Sequence, residues 1–105
     1  MTIASADNAI AVSAATFWEL AIKRQLGRVE IDLADLQAAV VADGFDEMPV
    51  EIVHTLRLQS LPDLHRDPFD RLLVAQSIEG AYRLVTRDEL ILSYSGIAGF
   101  DPLKA

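Results

Sequence analysis

Four carboxylates stand where a small chain could use them together: Glu19, Asp67, Asp70 and Asp88. Two of them fall inside His65-Arg66-Asp67-Pro68-Phe69-Asp70-Arg71, which gathers acids and guanidinium groups just before the apolar run of Leu72, Leu73, Val74, Ala75 and Ile78. Carboxylates brought together without a cation repel one another, and some must then take up protons. Around Mg²⁺ or Mn²⁺ they become hard oxygen ligands that leave positions open for water and phosphate. The chemistry suggested is metal-assisted phosphodiester hydrolysis, the cation activating water and stabilising charge on the phosphate.

Each residue also has an ordinary structural use. Glu19 completes Thr16-x-x-Glu19, a capping-box pattern, and stands four residues before Lys23 at an ion-pair spacing. Asp67 before Pro68 reads as a helix N-cap, and Asp70 in the first turn is favoured by the helix dipole. Asp88 could start a turn, and His65 reads as a loop residue or hydrogen-bond partner. Arg66, Arg71 and Arg87 could balance neighbouring acids or contact RNA phosphates. Trp18 is most simply core or interface. Taken singly the structural uses suffice. It is the combination that makes a site competitive.

The elements that must position these side chains follow from local signals. Asn8–Ser13 reads as a short, nearly continuous apolar strand. Ser13 caps a helix from about Ala14 to Leu26, stopped by Gly27, with Phe17, Trp18, Ala21, Ile22 and Leu26 as its apolar face. Asp32 caps the helix Leu33–Asp43, which ends at Gly44. Asp46–Val50 is a brief extended piece, with Pro49 suited to an edge or strand end. Glu51–Ser60 is an amphipathic helix built on Ile52, Val53 and Leu56, and Leu61–Arg66 is loop. Asp67 caps, Pro68 takes the first helical position, and the helix runs to about Glu79 before Gly80. Tyr82–Thr86 is a strand, residues Arg87–Leu92 a turn or short helix, and Gly96–Phe100 a last edge strand. Strands alternating with helices make an α/β domain with a mostly parallel sheet. In such sheets ligands bind outside the carboxyl ends of strands, so three segments could deliver acids to one edge.

The bulk numbers bound the reading. At 105 residues the chain is one small domain, and about half of it is apolar, enough for a core. No apolar run approaches the roughly 20 residues of a membrane span, and no basic residue precedes Ala9–Ala15, so no secretory leader is expected. The lack of cysteine excludes disulfides and thiolate metal sites and fits a cytoplasmic location. A net charge of −7 argues against a simple basic nucleic-acid surface. It leaves two routes: phosphate handled at a cation, or a basic partner. A phosphoacceptor receiver site is excluded. Thr86 is available, but no Lys follows until Lys104, and no acceptor Asp after a strand precedes it.

Three segments in order, VSAATFWELAIKRQLGRVEI, LPDLHRDPFDRLLVAQSIEG and YRLVTRDE, closely resemble PIN-domain proteins, specifically VapC-type toxins of toxin–antitoxin pairs, from about Asn8 to Tyr94. The resemblance implies a three-layer α/β/α sandwich and a Mg²⁺- or Mn²⁺-dependent endoribonuclease. It also implies a homodimer and inhibition by a small VapB-type antitoxin. Carried over by position, Glu19, Asp70 and Asp88 match the family's metal-binding, catalytic acids. Asp67 matches the accompanying acid of the RDPFDR signature, as a cap or an additional contact to the metal.

One departure shapes the expectation. In the family a strand ending in Asp precedes the one matching Asn8–Ser13 and lies in the middle of the sheet. No segment here matches it, and Asp7 precedes its strand, at the opposite end from Glu19. The chain is therefore expected to form an N-terminally incomplete PIN-like domain. Its central strand would be missing through truncation, or supplied by another molecule in a strand-swapped homodimer. The alternative function is a non-catalytic relic that binds an antitoxin or an intact toxin.

Overall fold

A computed structural model describes residues 2–4, 10–62, 66–80, 83–86 and 103–104. In chain order these form β1 (Thr2–Ala4), β2 (Ile10–Ser13), α1 (Ala14–Gln25), α2 (Leu33–Ala42), β3 (Asp46–Met48), α3 (Ile52–Leu58), α4 (Pro68–Gly80), β4 (Arg83–Thr86) and β5 (Leu103–Lys104). The α/β class is as expected.

Local chemistry sets the helix ends. Ser13 has extended backbone, and its Oγ accepts from the Ala15 N–H at 3.0 Å. The cap of α1 is thus Ser13, and Thr16 already lies inside the helix, so the Thr16–Glu19 capping box does not form. Asp32 caps α2 by accepting from the Asp35 N–H at 3.1 Å. Gly27 and Gly44 follow α1 and α2 with φ of 75° and 76°, the left-handed backbone that favours glycine after a helix. Asp67 Oδ1 accepts from the N–H groups of Phe69 and Asp70, at 2.9 and 3.2 Å. Pro68, which has no N–H to leave unpaired, opens α4 behind it.

The sheet order is β3-β2-β1-β4-β5. β2 pairs parallel with β3, and β4 parallel with β5, while β1 runs antiparallel to both β2 and β4. Among the described strands four therefore share one direction, and β1 alone opposes them. This corrects the expectation of an unfilled centre: Thr2–Ala4, given no role in the sequence reading, takes the middle position. The signal was weak because three residues carry no periodicity. The register sets Ile3 opposite both Ala11 and Leu84, so Ser13 and Thr86 stand level on either side of β1. Adjacent strands lie roughly 4.8 Å apart, so these two carboxyl ends are separated by about 10 Å. The expected turn at Arg87–Leu92 and strand at Gly96–Phe100 lie outside the described residues, as do Asp7 and His65.

The core gathers Ala11, Ala15, Leu61, Leu72, Leu73, Val74 and Ala75, with Met48, Leu58 and Ile78 packed against it. α4 is its axis, since it lies against α3, α1 and β4 and buries six consecutive residues, Leu72–Ser77. A helix buried all round must satisfy its polar side chains internally. Ser77 does so by donating to the Val74 carbonyl at 2.8 Å. Two expected apolar faces turn outward. On α1, Trp18, Ile22 and Leu26 are exposed, and on α3 so are Ile52, Val53 and Leu56. α3 instead buries His54, whose Nδ1 accepts from the Glu51 N–H at 2.9 Å. No described helix is long and apolar enough to cross a membrane.

Candidate functional site

The seam between α1 and α4 carries two of the four acids. Ala15 of α1 is buried against the α4 side chains. Residues four apart share a helix face, so Glu19 continues that buried face one turn on. Its side chain is 25% exposed, and one carboxylate oxygen lies 3.5 Å from Lys23 Nζ, the ion pair expected from the i,i+4 spacing. Asp70 sits in the first turn of α4, partly buried. It lies one turn before Leu73 and Val74 on the same face.

An aromatic contact joins the two turns. The rings of Trp18 and Phe69 meet edge to face, with centroids 4.7 Å apart and planes at 77°. Each ring belongs to the residue just before an acid, so the turn bearing Glu19 is held beside the turn bearing Asp70. The exposure of Trp18 at 59% shows that this seam opens to solvent. A rim of half-buried carboxylates with access for water suits a hard cation in donor type.

The described residues supply only part of such a site. Among them no three His, Cys, Asp or Glu side chains gather closely enough to hold a metal. Asp67 is committed as the cap of α4 through its two backbone hydrogen bonds. Asp88, expected two residues beyond Thr86, lies outside the described residues, as does Arg87. The sheet brings the carboxyl end of β4 level with that of β2, which leads into the helix carrying Glu19.

The arginines divide. Arg71 donates to the carbonyl oxygens of Pro62 and Leu58, at 3.2 and 3.4 Å, tying the segment after α3 to α4. Arg66 is exposed beside the start of α4. A groove of about 710 Å³ between α1, α2 and the β2–β3 edge is lined by Val12, Phe17, Leu33, Met48 and Pro49 among others, and none of the candidate acids lines it.

Behind the seam Ser13, expected only as a cap, also pairs with Gln76, for which the sequence suggested no part. Gln76 is fully buried, and its Oε1 accepts from Ser13 Oγ at 2.5 Å. Its Nε2 donates to the Pro49 carbonyl at 3.1 Å and lies 3.4 Å from His54 Nδ1. A glutamine and a serine inside otherwise apolar stretches were the available signal, because such residues stay inside only when partnered.

Comparison with family models matches residues 2–96 to the one described as PIN domain. Comparison with curated proteins and with solved structures gives no match.

Proposed function

The chain belongs to the PIN-domain family, and from that premise we propose that it is a metal-dependent endoribonuclease of the VapC toxin type. The observation that carries this reading is the Trp18–Phe69 contact, which sets the Glu19 turn beside the Asp70 turn. In the proposal Glu19, Asp70 and Asp88 hold Mg²⁺ or Mn²⁺. Asp67 fixes the first turn of α4, so that Asp70 is presented from a rigid backbone. The bound cation supplies Lewis acidity toward water and phosphate. The chain's own contribution is to hold carboxylates at the rim of one seam and to bring RNA phosphate to it. Arg66, exposed beside the start of α4, is proposed for that second task, Arg87 is proposed to join it, and Arg71 is drawn partly into its carbonyl contacts. A cytoplasmic setting is part of the same proposal.

Partners enter on the exposed apolar side chains. Trp18, Ile22 and Leu26 form an i, i+4, i+8 stripe along α1, and Ile52, Val53 and Leu56 crowd one side of α3. Both suit a macromolecular partner, proposed to be a VapB-type antitoxin and a second copy of the chain. The second function, a binding module without cleavage, is supported by the same exposed apolar side chains on α1 and α3.

The test compares wild type with Glu19→Gln and Asp70→Asn on RNA with and without Mn²⁺. The expected outcome is Mn²⁺-dependent cleavage that falls at least about 100-fold in each variant. Stability should change little in Glu19→Gln, because a solvent-accessible i,i+4 ion pair contributes less than about 1 kcal/mol. A wild-type chain that neither cuts RNA nor responds thermally to Mn²⁺, yet retains an antitoxin-like peptide, would replace this reading with the binding module.

A further inference from the structure

Behind the seam lies a polar lock. Ser13 and Gln76 are 63 residues apart in sequence, and their side chains are fully enclosed where they meet. The Gln76 amide has one orientation open to it. Its oxygen takes the Ser13 hydroxyl proton, and its nitrogen faces the Pro49 carbonyl and the His54 Nδ1. Turning the amide over would set oxygen against two acceptors. His54 is fixed in turn, since its Nδ1 accepts the Glu51 N–H and so carries no proton. Three segments thus converge on one amide in the middle of α4: the end of β2, the residue after β3 and the start of α3.

We propose that Ser13 and Gln76 are positioning residues for the acids at the α1–α4 seam, an inference that rests on the function proposed above. Besides the apolar packing of Ala15, two directional contacts join α1 and its cap to α4: the Ser13–Gln76 hydrogen bond and the Trp18–Phe69 ring pair. Their order is reversed along the two helices, so the helices run in opposite senses there. Glu19 lies six residues after Ser13, and Asp70 six residues before Gln76. At 1.5 Å per helical residue both acids stand about 9 Å from the lock, on the same side of it. A directional hydrogen bond at one point and a ring contact at another fix both height and rotation, which apolar packing alone leaves looser. Glu19 and Asp70 therefore emerge at one level.

The experiment uses the full chain and two readouts. Free Mn²⁺ measured by electron paramagnetic resonance gives metal affinity, and the near-ultraviolet circular dichroism of Trp18, the single tryptophan, reports the seam. Ser13→Ala and Gln76→Met should lower Mn²⁺ affinity about tenfold or more and diminish the Trp18 band, with helix content retained. Ser13→Thr, which keeps the hydroxyl, should preserve both. Glu19→Gln should lose Mn²⁺ affinity yet keep the band, separating a ligand from a positioning group. If one of the first two variants does not fold, the other carries the comparison. If neither folds, retention of both signals by Ser13→Thr supports the hydroxyl as the positioning group, and their loss overturns it. A folded variant of Ser13 or Gln76 with wild-type affinity and an unchanged band overturns the proposal. A wild-type chain that binds no Mn²⁺ removes the metal reading instead, and the Trp18 band still decides whether the pair sets the seam.

Discussion

Two aspartates within one turn of each other play different parts at the start of α4. Asp67 accepts two backbone N–H groups that the helix itself cannot pair, whereas Asp70 lies past the cap, partly buried in the first turn. A simpler member of the same class is Asp32, whose carboxyl is held below its ordinary value chiefly by the Asp35 N–H, with Arg24 contributing at 3.5 Å. A carboxyl with a lowered folded-state pKa stabilises the protein above its unfolded value, and that contribution is lost as pH falls through the folded one. Asp32→Asn keeps a capping oxygen but removes the charge. In urea unfolding the variant should therefore be less stable than wild type at neutral pH, and the two curves should converge in acid, below the usual carboxylate range. A gap independent of pH would mean that the charge of Asp32 contributes nothing.

Helix boundaries were readable from the sequence because they are local. Ser13, Asp32 and Asp67 each precede a helix by one residue, and glycine follows α1 and α2 within two. Which face turns inward was not readable for α3. Ile52, Val53 and Leu56 look like its buried side, yet Ile52 is 77% exposed and His54 is enclosed. The deciding interactions come from Gln76, 22 residues beyond His54, and from the Arg57–Glu79 pair at 2.5 Å. Side-chain periodicity within α3 contains neither. For the same reason Glu19, Asp67 and Asp70 stand out as candidates by residue type and their place near helix starts, while the Ser13–Gln76 pairing does not. The outward face of α3 makes a sharp prediction. Ile52→Ser should change stability by less than about 0.5 kcal/mol, whereas Leu73→Ala in α4 should cost roughly 2–5 kcal/mol. Urea unfolding of the two variants checks it, and comparable losses would mean that Ile52 is covered.

Among the described strands, β1 alone pairs with both parallel halves, β2–β3 on one side and β4–β5 on the other. Proline in a strand paired on both sides removes a ladder hydrogen bond wherever it is placed. Ile3→Pro should therefore destabilise the whole chain by about 1–3 kcal/mol in one cooperative transition, measured by thermal or urea unfolding. An unchanged midpoint would show that the sheet holds together without β1. The same placement bears on how the molecule assembles in time. β1 meets β2 across a short stretch, but its pairing of Thr2 with Val85 closes a loop of more than eighty residues. Such closure costs chain entropy before any contact repays it, so contacts between distant residues slow folding. The local pairing of β1 with β2 and the capped helices can form early, while the halves of the sheet are joined late. Until that step the unpaired edge of β1 stays open to a strand from any neighbouring chain, so the order of assembly bears on strand pairing between copies.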